Sequence, residues 1–189
     1  MNGLSVSGRQ AARGSSRALI AAVLALSVAG GVGCRAPAVA TDARAQVVLA
    51  PDFLLDAVDG GRFRLADHRG KSVVVLDFWA TWCDPCKLEL PHLVALYETH
   101  RDRGLVVAAI SIDGPESVAR VRGEARQLGL PFPVLLDQES RVVALYNPRR
   151  SAPFTTVIGR AGHIVNGHEG YTPGDEATLA REIEIELGR

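Results

Sequence analysis

Short apolar runs alternate with amphipathic stretches along most of this chain. Val73-Val74-Val75-Leu76 is continuous and mostly β-branched, which suits a strand buried on both faces better than a helix. Leu105 to Ile112 and Val134-Leu135-Leu136 repeat that pattern. Thr155 to Ile158 and His163 to His168 read as two further strands, joined by the turn Gly159-Arg160-Ala161-Gly162. Lys87 to Arg103 has helical spacing through Leu90, Leu93, Val94, Leu96 and Tyr97, and Pro91 should kink it for want of an N–H. Pro115 to Leu128 predicts a helix with proline at its start. Arg141 to Tyr146 predicts a short helix, and a last one begins at Gly174-Asp175-Glu176 and runs to Leu187. Asp52 to Leu55 and Arg62 to Leu65, on either side of Asp59-Gly60-Gly61, predict a β-hairpin. His68 reads as a solvated loop residue. Strands alternating with helices make this an α/β domain with a mixed sheet.

The first residues do not fit that domain. Residues 1 to 17 carry Arg9, Arg13 and Arg17 and no acidic residue, and Ala18 to Val32 is apolar and rich in small side chains. Such a core is short for a bilayer span and suits a signal peptide, with an uncleaved anchor as the alternative. Cys34 follows Gly31-Val32-Gly33 and resembles a bacterial lipobox cysteine, although Gly31 stands where leucine is usual. The expected organisation is a lipoprotein-type signal peptide over 1–33, a tether over 34–50 rich in Ala and Pro, and one domain over 51–189. The whole chain is formally neutral; without the three leader arginines, 18 basic residues face 21 acidic ones. Nothing in that balance points to nucleic acid.

The chemistry concentrates at Cys83-Asp84-Pro85-Cys86, where the buried strand hands over to a helix. A helix N-terminus offers unpaired N–H groups and a positive dipole end, which favour a thiolate. The thiolate is the nucleophile of disulfide exchange, so Cys83 attacks and Cys86 resolves. A zinc site would need a second ligand pair, and the five histidines show no such spacing. An inert structural disulfide remains possible, but a bridge this short constrains little of the unfolded chain. The three cysteines divide into one anchor and one redox pair.

Asp77-Phe78-Trp79-Ala80-Thr81-Trp82-Cys83-Asp84-Pro85-Cys86 resembles the active-site strand and loop of thioredoxins. With Glu89 and Pro91 it is similar to the Cys-x-x-Cys-x-x-Glu-x-Pro signature of the TlpA/ResA-like branch, membrane-anchored extracytoplasmic thiol-disulfide oxidoreductases. The resemblance spans about residues 50 to 189. It implies a thioredoxin-like fold: a mixed central sheet flanked by helices, an N-terminal β-hairpin, and an additional strand-helix insertion between Gly114 and Tyr146. It implies a cis peptide at Ala152-Pro153, where a lone X-Pro bond is ordinarily trans. Ala152 and Pro153, with Trp82, Asp84 and Pro85, would form the docking surface for substrate. Asn147-Pro148-Arg149-Arg150 departs from the family's Gly-rich approach to that proline, and Gly159 stands where Asp is common. Asp77 matches the buried aspartate of thioredoxins, and Glu89 the acidic residue of the TlpA/ResA branch. Both become candidate proton acceptors for Cys86, since a buried carboxyl exchanges protons near neutral pH. Trp79 reads equally as core or rim, and Trp82 as rim. Lys87 should point to solvent.

The resemblance further implies protein disulfides as substrates, of the cytochrome c maturation or copper-site assembly type, and an upstream thiol donor. It implies no cofactor beyond the redox pair and no metal. Two other classes share the fold. A thiol peroxidase places its cysteine in a Pro-x-x-x-Thr-x-x-Cys context, which the residues before Cys83 do not match. A copper-binding assembly protein has a wider Cys-x-x-x-Cys and a distal histidine.

Overall fold

The computed structural model describes residues 48–189. The expected signal peptide, Cys34 and the tether up to residue 47 lie outside the described residues. The order of elements is β1 (Leu54–Asp56), β2 (Arg62–Arg64), β3 (Val73–Trp79), α1 (Asp84–His100), β4 (Leu105–Ser111), α2 (Val118–Gln127), β5 (Val134–Leu136), α3 (Arg141–Tyr146), β6 (Phe154–Ile158), β7 (Ile164–Glu169) and α4 (Glu176–Leu187). β1 and β2 form the hairpin, with Leu55 opposite Phe63. The other five strands make a mixed sheet in the order β5-β4-β3-β6-β7. β3 is central, parallel to β4 and antiparallel to β6, and is buried along its whole length.

Alternation along β3 divides the core into two layers. Val73, Val75 and Trp79 face one side, where they pack with Leu90 and Leu93 of α1, Val121 of α2, and Leu179 and Ile183 of α4. Val74, Leu76 and Phe78 face the other, against Phe53, Phe63 and the α3 residues Val142 and Val143. Asp77 has the parity of the first set. The chain therefore places one carboxylate on the same core face as the redox helix. The insertion contributes α2 to that face, β5 to the sheet edge and α3 to the opposite face.

Three local expectations change in detail. The last tether residues are bound to the sheet: the Ala50 N–H donates to the Gly162 carbonyl, and the Ile164 N–H to that of Val48. The ring of His68 stacks on Phe63 at a centroid distance of 4.8 Å, so this histidine is half-buried packing rather than a solvated loop residue. Lys87 turns toward α2, 3.5 Å from Glu124 and 3.8 Å from Asp84, and leaves only 32% of its side chain exposed. α1 continues through Pro91.

Candidate active site

The redox pair is built by the end of β3 and the start of α1. Cys83 is the N-cap of α1 in extended conformation, and its sulfur accepts a hydrogen bond from the Cys86 N–H at 3.2 Å. Pro85 occupies the first turn, where its missing N–H costs no helical hydrogen bond. Cys83 and Cys86 are joined in a disulfide. Cys86 is fully buried and Cys83 is 3% exposed. Trp82 beside them is 63% exposed, whereas Trp79 lies wholly in the core. Asp84 and Pro85 are exposed, and the Ala152–Pro153 peptide bond is cis. Its approach differs from a glycine-rich one: buried Asn147 donates to the Ser151 carbonyl at 2.7 Å, and Arg150 takes a positive φ of 53°. At Gly159, a β-carbon would meet the buried carboxylate of Glu186 at 2.6 Å. An aspartate there would press a second acid against it.

The two predicted carboxylates converge beneath the pair. Asp77 lies opposite Thr155 across the β3–β6 ladder, and the Thr155 hydroxyl donates to Glu89 Oε1 at 2.8 Å. Thr155 also lies close enough to Asp77 to oppose the effect of burial there, but the one proton of its hydroxyl is directed to Glu89. Both Asp77 oxygens and Glu89 Oε2 are buried without a hydrogen-bond partner among the described residues. Burial pushes the Asp77 carboxyl well above the usual carboxylate range, and the neighbouring Glu89 pushes it further. Burial also raises Glu89, against the opposing pull of the Thr155 hydrogen bond and of His168. Two such groups share protons as a unit rather than titrating independently.

Asp113, which the sequence reading did not single out, holds the redox loop. This buried carboxylate accepts from the Thr81 N–H at 2.9 Å, the Thr81 hydroxyl at 2.7 Å and the Ser111 hydroxyl at 2.9 Å. The Ile112 N–H donates to the Trp79 carbonyl, continuing the clamp. The signal was an acidic residue two positions past the end of a buried strand, where the polar partner it serves is about thirty residues away and invisible to local pattern. Asp113→Ala should destabilise the oxidised protein by about 2–4 kcal/mol, since it strands buried donors of Thr81 and Ser111. Urea denaturation checks this; a change below about 0.5 kcal/mol contradicts the clamp.

The AhpC/TSA family profile matches residues 48–167. The chain is 36% identical over 115 residues to the thiol-disulfide oxidoreductase ResA of Geobacillus kaustophilus, an alignment covering 61% of this chain and 64% of the relative. The chain thus spans somewhat less than two thirds of that relative's length. Among solved structures it superposes on a protein described as the thiol:disulfide interchange protein DsbE of Chlorobium tepidum. The TM-score is 0.68 and the identity 32%, over 75% of this chain and 96% of the other. It also superposes on the exposed lipoprotein thioredoxin of Streptococcus pneumoniae, with a TM-score of 0.59 and 30% identity, over 70% and 99% of the two chains. By its profile match, its fold and its Cys83-x-x-Cys86-x-x-Glu89 site, the chain belongs to the AhpC/TSA family and is a ResA-like member of thioredoxin fold.

Proposed function

We propose that this protein is an extracytoplasmic thiol-disulfide oxidoreductase that reduces disulfides in partner proteins. One observation carries the reading: a redox pair at a helix N-terminus stands over two buried carboxyl groups with unpartnered oxygens. In the reduced protein the Cys83 thiolate attacks one sulfur of the partner's disulfide. The new bond is a mixed disulfide, and the partner's other sulfur leaves as a thiolate that takes up a proton. The Asp77–Glu89 pair then accepts the Cys86 proton, and the Cys86 thiolate attacks the Cys83 sulfur. The intramolecular disulfide forms, and the partner's first sulfur leaves as a thiol. An upstream dithiol restores the reduced pair by the same exchange in reverse. Trp82, Asp84, Pro85, Ala152 and Pro153 frame the approach. We assign its partners to the cytochrome c maturation or copper-site assembly type, the class that the TlpA/ResA-like signature from Cys83 to Pro91 implies. The test is capture: Cys86→Ser should accumulate a partner protein on Cys83 as a mixed disulfide released by dithiothreitol, and a double Cys83→Ser/Cys86→Ser protein should not.

We assign this activity to the outside of the cytoplasm, held to the membrane by a lipid on Cys34; the leader arginines, the short apolar core and the likeness to an exposed lipoprotein thioredoxin support that reading. The mature protein should partition into the detergent phase, and Cys34→Ala should release it or block its processing. Unchanged attachment and processing would exclude lipidation there. The family profile also favours a second reading, peroxide reduction. Peroxide consumption coupled to thiol oxidation separates the two: an exchange enzyme leaves peroxide at background, whereas a peroxidase consumes it with Cys83 alone as nucleophile.

A further inference from the structure

Residues of three adjacent strands line up beneath the redox helix. Asp77 on β3 is opposite Thr155 on β6, and Thr155 is opposite His168 on β7. Directly opposed residues project to the same sheet face, and the Thr155–Glu89 hydrogen bond shows that this face is the one under α1. Glu89 and His168 line one cavity of about 350 Å³ between α1, the end of β7 and the start of α4. Glu89 Oε2 itself is buried without a partner, and the imidazole of His168 is the side chain that β7 brings to the same cavity lining from the position opposite Thr155. His168 is held there from α4: its Nε2 is 2.7 Å from Glu182 Oε2, and Glu182 Oε1 accepts from Asn166 Nδ2 at 2.6 Å.

We infer that His168 is a positioning residue of the redox site: held from α4 by Glu182, its imidazole shares with Glu89 the lining of this cavity and favours the state in which Glu89 takes the Cys86 proton. The inference rests on the proposed role of Glu89 as proton acceptor. Positive charge facing a carboxyl favours its ionised form, and an ionised Glu89 is the form that can accept a proton. His168 acts on Glu89 in that direction.

The other charges around the cavity are fewer in kind. On β3, Asp77 is the like-charged partner of Glu89. On α1, His92 tilts over Tyr171 with ring centroids 5.9 Å apart. On β7, Glu169 is engaged by Arg149 at 2.9 Å. From the loop before α4, the Tyr171 hydroxyl donates to Glu176, and Asp175 accepts from the Thr172 N–H. Asp175 opposes ionisation of Glu89, whereas His168 favours it. His92 is the other imidazole on this cavity, so His92→Gln is the control variant.

The experiment titrates the Glu89 carboxyl by carbon-13 NMR in the full oxidised protein. His168→Gln should raise the midpoint by about 0.5–1 pH unit, leaving about three- to tenfold less ionised Glu89 at a pH below the midpoint. Glu182→Ala removes the same β7–α4 contact but leaves the imidazole on the cavity, and should move the midpoint by less than half as much as His168→Gln. His168→Lys should hold it within about 0.3 unit of the parent, and His92→Gln should leave it there. A contact that only staples β7 to α4 predicts equal loss of thermal stability and an equal midpoint in His168→Gln and Glu182→Ala. That result, or an unmoved midpoint in His168→Gln, overturns the inference. The acceptor role is read separately: Glu89→Gln with unchanged resolution of a mixed disulfide refutes it while the NMR shifts stand.

Discussion

Replacing Glu89 by glutamine should slow resolution of a preformed Cys83 mixed disulfide by about 10²-fold while changing its formation by less than about threefold. Formation uses the Cys83 thiolate, which the start of α1 stabilises through the Cys86 N–H and the helix dipole. Resolution needs Cys86 to lose a proton inside a fully buried site. Glu89 is 6% exposed, bonded to Thr155 through one oxygen and unpartnered at the other. It is thus pre-aimed and still free to take a proton. Stopped-flow tryptophan fluorescence of a glutathione mixed disulfide separates the two steps. Equal slowing of both, or of neither, contradicts the role.

Asp77→Asn should make the oxidised protein more stable above neutral pH and flatten its stability–pH curve. The folded pKa of Asp77 and that of Glu89 lie above their unfolded values. Such groups bind more protons folded than unfolded, so stability falls as pH rises. The fall starts near the unfolded carboxylate value of about 4, continues through the raised folded values, and levels off above them. Asp77 is 1% exposed with both oxygens unpartnered, so its charge has little to offset its burial. Asparagine keeps the shape and removes the charge. The gain above neutral pH should be a few degrees in Tm, on a scale of about 2–4 °C per kcal/mol for a domain of this size. Thermal melts across pH 4 to 9 measure it. A variant whose curve keeps the parent's slope would contradict the burial of an ionisable Asp77. The cost fits the proposed function, in which Asp77 and Glu89 take up the Cys86 proton.

Much of the fold was legible because its signals are local. The β-branched run at Val73, the Asp-Gly-Gly turn at Asp59 and the spacing of Leu90 and Leu93 each report a single element. The strand-to-helix handover at Cys83 was legible for the same reason. Contacts between distant segments were not. Thr155 opens a predicted strand, yet nothing local shows that its hydroxyl serves Glu89, 66 positions away. Asp113 and His168 carry no motif; each acquires a role only when β4 or β7 lies beside its neighbour. His68 and Lys87 were assigned to solvent because polar side chains usually are. Stacking on Phe63 and pairing with Glu124 are tertiary events.

The direction of electron flow follows from the charges at the redox pair. The helix start favours a Cys83 thiolate. Asp84 lies between the cysteines, Glu89 follows Cys86 by three residues along α1, and Asp77 lies on the β3 face that packs with α1. Lys87, the nearest cation in sequence, is shared between Asp84 and Glu124. The thiolate therefore lacks the strong stabilisation that makes a disulfide oxidising. The measurement is the reduction potential of Cys83–Cys86, obtained by equilibrating the purified protein with glutathione redox buffers and reading the fluorescence of Trp82 and Trp79. A value below about −200 mV is predicted; a value near −120 mV, that of a strong oxidant, would contradict the reductase account.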